Sequence, residues 1–242
     1  FSLVLTTFLI GLAGGAAVIG RLSQRSRNPV GWLAINHILI VVFVGISYLL
    51  MDKLPLIYLY LIKGSKMQAD AVLWRQFLLA SLTMLPATFA LGGVFPLTIR
   101  IAAVNLENVG KDVGNAYSVN TLGAIAGSFL AGFVVIPVLE MQLGLFVAVA
   151  VNLILAGLLA AAAPWSRGLR VGVASAAVLI LVAAPMLPRW NLYMLSVGLF
   201  RPSVARDALN QGGKWTKPEL VFYRDGISTT VSVEQWSAKH YS

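Results

Sequence analysis

The chain has 242 residues, 58% of them hydrophobic and only 11% charged, with a formal net charge of +9 and no cysteine. Its mean hydropathy of +0.83 leaves too little charge to coat a soluble domain of this length, so the composition reads as an integral membrane protein. The lack of Cys excludes disulfides and thiolate metal sites, and two histidines far apart, His37 and His240, give no basis for a histidine metal centre.

The first apolar run is Phe1 to Gly20. It begins without Met or a basic segment, unlike a signal peptide, and an N-terminal part is expected to be missing. Five more runs approach the roughly 20 residues a spanning helix needs: Val30–Met51, Val72–Leu97 (interrupted by Pro86 and Pro96), Tyr117–Leu139, Met141–Ala163 and Leu169–Leu187. Leu54–Ile62 is apolar but too short to span, so it is expected to be interfacial or re-entrant. Continuous Gly- and Ala-rich runs lack the alternation of a barrel strand, which predicts helices. The expected fold is therefore an all-α polytopic membrane protein of about six transmembrane helices, with a small C-terminal β-hairpin.

The basic residues lie in short loops, where Lys and Arg set topology, rather than in a nucleic-acid surface. The loop at 20–29 carries Arg21, Arg25 and Arg27, and that at 166–170 carries Arg167 and Arg170, both without an acid. Both loops are predicted to be cytoplasmic at an inner (plasma) membrane, with Glu140, in a tight turn between two spans, on the other side. The lysines Lys53, Lys63 and Lys66 of the opposing loop pull against this orientation. Six spans starting outside return the tail outside.

Composition changes after Pro188, and the expected division is a helical domain 1–187, a linker 188–218 and, at 219–242, the start of a β-domain expected to be truncated. Leu220–Tyr223, the Asp225-Gly226 turn signal and the β-branched run Ile227–Val233 predict a hairpin. A lone hairpin is marginal in water and needs more sheet.

Gly11 and Gly15 form GxxxG, as do Gly123 and Gly127, extended by Ala131. Such strips let helix backbones approach, either within the chain or between copies, and Gly11/Gly15 against Gly123/Gly127 is the expected internal pairing. Asn36 and His37, Ser118, Asn120 and Thr121, and Asn152 are polar groups in apolar runs. Interhelical hydrogen bonding is the ordinary reading of each, and a functional site at Asn36 and His37 is the sharper one. No span carries an acid–base pair, which counts against a proton-coupled pump. There is no Walker loop, GxGxxG or catalytic triad pattern.

Two stretches carry a resemblance: GNAYSVNTLGAIAG from Gly114 to Gly127, continuing to Pro137, and LVFYRDGISTTVSVE from Leu220 to Glu234. Together they resemble membrane-embedded spermidine synthase-like proteins, in which a multi-helix domain precedes an aminopropyltransferase domain. The loop GRLSQRSR, 20–27, is similar to the short basic loop of major facilitator transporters, which that membrane domain resembles, and WNLYMLSVGLFR, 190–201, is similar to the family's linker. The resemblance implies a catalytic domain binding decarboxylated S-adenosylmethionine and a polyamine, but its Gly-rich loop and acidic base have no counterpart here. No catalytic, cofactor-binding or metal residue is therefore assigned, and no cofactor is expected in this chain. The expected role is a membrane anchor or regulatory domain of a spermidine synthase-like protein. The alternative is an accessory subunit of a larger membrane complex or a transporter-like half, whose partners are the bilayer and other membrane subunits.

Overall fold

The computed structural model describes residues 2–63, 69–103, 106–196, 198, 204, 219–226 and 229–235. It is mostly helical: α1 Ser2–Gln24, α2 Pro29–Leu50, α3 Leu54–Ile62, α4 Ala69–Ala102, α5 Val109–Leu130, α6 Ile136–Ala162, α7 Arg167–Ala183 and α8 Leu192–Ser196. A two-stranded antiparallel sheet, β1 Glu219–Asp225 and β2 Thr230–Gln235, follows. The expected linker lies outside the described residues over 205–218, as do Ile227 and Ser228 of the hairpin turn.

Helix starts are written locally. Asn28 caps α2, its Oδ1 accepting from the Gly31 N–H at 2.8 Å, and Pro29 occupies the first turn, where its missing N–H has no cost. Ser166 caps α7 by accepting from the Leu169 N–H.

Four helical stretches are long and apolar enough to cross a membrane: α1, α2, residues 70–102 and residues 109–162. Six separate runs were expected, and two differences account for the count. Residues 109–162 form one helical stretch of 54 residues, continued through a π-helical turn at Ala131–Val135. Glu140 interrupts it with φ 63° and ψ 169°. Helix α7 has 17 residues, just short of a span. Two boundaries also move. Helix α4 continues through Pro86 and Pro96 for 34 residues, and α5 begins at Val109 rather than Tyr117. The first turns of α5 hold Lys111 and Asp112, polar residues that an apolar run cannot reveal.

The helices pack in the order α1–α4–α2–α6–α7, with α3 and α5 against α4. Buried Tyr58 and Ile62 of α3 meet Val72 and Leu79 of α4, while Val41, Val149, Leu153 and Ala177 join α2, α6 and α7. No described residue of α5 is buried; Tyr117 makes an edge-on ring contact with Phe95 of α4.

Candidate functional site at the junction of helices and hairpin

The break at Glu140 creates a fresh helix start at Met141, whose N–H needs an acceptor. Asp225, at the end of β1, supplies it: Oδ2 accepts from the Met141 N–H at 3.2 Å, while Oδ1 accepts from Thr230 Oγ1 at 2.8 Å. Asp225 is buried, only 4% exposed, so the carboxylate ties the hairpin to the bundle and also closes the hairpin on itself. An anionic oxygen at a helix start is also favoured by the helix dipole.

A second set of contacts surrounds it. Tyr48 near the end of α2 donates from its hydroxyl to the Pro188 carbonyl at 2.9 Å and accepts from Gln142 Nε2. Trp190 Nε1 donates to the Tyr48 carbonyl at 3.0 Å, and the Tyr48 ring sits 5.1 Å from that of Trp190 and 5.3 Å from that of Phe146. Between these elements lies a cavity of about 660 Å³ whose polar lining includes Glu140, Gln142, Arg189, Trp190, Tyr223 and Asp225. The Tyr223 phenol is pushed up to about 12, first by burial and then by the negative charge of Asp225. Glu140 is a non-glycine residue at positive φ, a conformation that costs on the order of 1–3 kcal/mol and persists only where its surroundings enforce it.

The opposite ends of the helices meet around the basic loops. Arg100 Nη2 donates to the Ser26 carbonyl, and a Cβ on Gly31 would fall 2.8 Å from Trp165 Nε1, so the loops of Arg21, Arg25 and Arg27 and of Arg167 and Arg170 are neighbours.

The glycine strips separate. Gly11 and Gly15 lie against Thr88 and Phe89 of α4, which returns Gly92 and Gly93 against Leu12, Ala16 and Ile19 of α1. The expected pairing with Gly123 and Gly127 is therefore corrected: a Cβ at either of those positions meets nothing within 4 Å. The physical reason is that α4 carries its own adjacent glycines, between two prolines, and claims the α1 strip.

Asn36 and His37 act as interhelical bonds. Asn36 Nδ2 donates to the Ala90 carbonyl at 2.8 Å, and His37 Nδ1 lies 2.8 Å from Asn152 Oδ1. Successive residues on α2 thus hold α4 and α6, while Asn36 Oδ1 stays buried without a partner. Ser118 and Thr121 bond back to the Gly114 and Tyr117 carbonyls of their own helix, and Asn120 lines a cleft between α4 and α5. Among the described residues no group of three or more His, Cys, Asp or Glu gathers as a metal site.

The junction itself was not visible beforehand. Asp225 reads from sequence as a turn residue and Tyr48 and Gln142 as ordinary helix ends; the one available signal was a lone Glu140 between two apolar runs. No family model, curated relative or solved structure matches the chain.

Proposed function

We propose that this chain is the membrane anchor and docking domain of a spermidine synthase-like protein, holding a soluble β-segment at the bilayer surface without performing group transfer itself. The observation that carries the anchoring part is the Asp225 bond to the Met141 N–H, which fastens the hairpin at the boundary of the helices. The aminopropyltransferase-like assignment rests on the sequence resemblance alone. In this reading the chain spans an inner membrane six times. The Glu140 break divides 109–162 into two spans, and α7 with its continuation at Ala184–Met186 makes the sixth. The basic loops are cytoplasmic and the hairpin is extracytoplasmic.

With no Cys in the chain, single cysteines report sidedness directly. An impermeant thiol reagent applied to intact cells should label Cys at Glu140 and not at Arg25; the reverse pattern overturns the orientation. Calorimetry with S-adenosylmethionine, its decarboxylated form and putrescine should give no saturable heat, and saturable binding of the nucleoside would refute the non-catalytic role.

One observation favours a second reading, an accessory subunit of a larger complex. The apolar helix α5 leaves Leu122, Ile125 and Phe129 more than half exposed, beside the open Gly123/Gly127 strip. Native electrophoresis of mildly solubilised membranes separates the two, since only the accessory reading requires a stable complex of additional subunits.

A further inference from the structure

Next to the junction cavity lies a smaller crevice of about 180 Å³ between α2, α6 and α7, lined wholly by apolar side chains, Gly45 and the ring of Tyr48. The two spaces share Phe146, Ala184 and Leu187, so the apolar crevice adjoins the polar-lined cavity across those side chains. Its size is comparable to the roughly 150 Å³ apolar cavity that stays dry and takes an apolar guest. The crevice reaches from Tyr48 along α2 to Val41, about two helical turns or roughly 10 Å along the helix. The wide end differs in character. Glu140 and Arg189, both exposed, supply opposite charges, and neither forms an ion pair among the described residues. Trp190 stands beside them, the residue type that marks the headgroup level of a bilayer.

A ligand that fits must have an apolar chain, and a head carrying one positive and one negative group. The geometry points to a zwitterionic phospholipid with a primary ammonium, bound with the head-proximal part of one acyl chain in the crevice. Its phosphate lies at Arg189 and its ammonium at Glu140. The phosphate takes the forked guanidinium donors, and the ammonium, with three N–H donors, meets the carboxylate. A quaternary ammonium has no such donors, and a glycerol head lacks the charge. This site is separate from the anchoring reading: it requires only that the helices sit in a bilayer.

The test uses the full chain purified in a mild detergent. Phosphatidylethanolamine, phosphatidylcholine and phosphatidylglycerol with matched acyl chains are titrated in turn, with thermal unfolding and native mass spectrometry as readouts. Phosphatidylethanolamine should raise the melting temperature saturably and remain bound in the gas phase, with the other two at least about ten-fold weaker, the worth of one charge-assisted bond. Glu140→Gln and Arg189→Gln should each weaken it by about ten-fold as well. Gly45→Leu fills the crevice at a position where a Cβ meets no atom within 4 Å, so the variant should melt like the parent without lipid and lose the lipid-induced shift. Equal shifts from all three lipids would mean a non-selective lipid shell and overturn the site. So would undiminished binding by Gly45→Leu, or binding of phosphoethanolamine alone as tight as that of the lipid.

Discussion

A single methyl group added to Gly15 tests the seam that organises the bundle. The Cβ of Gly15→Ala would fall 2.7 Å from the Phe89 carbonyl carbon and 3.0 Å from its Cα, backbone atoms that cannot rotate aside. The Phe89 carbonyl oxygen lies closer still, and carbon–oxygen contact is comfortable only at about 3.3–3.6 Å, so α1 and α4 must part by roughly 1.5 Å. A gap wider than about 1 Å forfeits roughly half or more of each contact's attraction along the seam. Overpacking of this kind costs about 1–3 kcal/mol. The matched control is Gly123→Ala, where nothing lies within 4 Å. There the methyl removes only glycine's helix penalty, worth up to about 1 kcal/mol in the opposite direction. Thermal unfolding in one detergent should lower the midpoint for Gly15→Ala, by roughly 2–4 °C per kcal/mol for a chain of this size, and leave Gly123→Ala level or slightly higher. If Gly15→Ala melts like the parent while Gly123→Ala falls, the glycine strips have been assigned to the wrong partners.

Three other perturbations reach different parts of the molecule. Removing the carboxylate in Asp225→Ala leaves the Met141 N–H without its cap, a loss of about 1 kcal/mol, so trypsin should cut at Arg224 roughly five-fold faster while helical circular dichroism is unchanged; an unaltered cleavage rate would show that the hairpin is held by something else. The His37–Asn152 bond should appear in a double-mutant cycle with Ala at each position as a coupling of about 0.6 kcal/mol, with roughly 1.7 as an upper bound, and zero coupling would break the α2–α6 tie. Because the Tyr223 phenol is raised to about 12 in the folded protein against roughly 10 unfolded, the docked hairpin holds an extra proton between those values. Its contribution is therefore complete below pH 10 and lost as pH rises toward 12; in an alkaline absorbance titration, Tyr223→Phe should delete a late-ionising phenol, and deletion of an early one would contradict the burial.

Membrane embedding was legible because it depends on composition and run length. Apolar runs longer than a bilayer is thick have no other stable place, and backbone polarity in hydrocarbon forces them to be helical. Local chemistry was equally readable: Leu54–Ile62, too short to span, is a separate nine-residue helix, and the stretch around Asp225-Gly226 turns a hairpin. Counting spans was harder, since a single residue, Glu140, decides whether 54 residues are one helix or two, through a backbone angle rather than a change in polarity.

Partner choice belonged to the tertiary structure alone. GxxxG at Gly11/Gly15 and at Gly123/Gly127 are equivalent as patterns, yet one strip is filled by α4 and the other is open, because periodicity says which face is smooth and not what lies across it. Asn36 and His37 likewise announce a need for hydrogen bonds, while the acceptors on Ala90 and Asn152 are 54 and 115 residues away. The junction required another distant encounter of this kind: Asp225 meets Met141 across 84 residues, and only the folded chain brings a turn carboxylate to the start of a broken helix. Sequence determines which groups must be buried or satisfied; the fold decides which of many chemically adequate partners satisfies them.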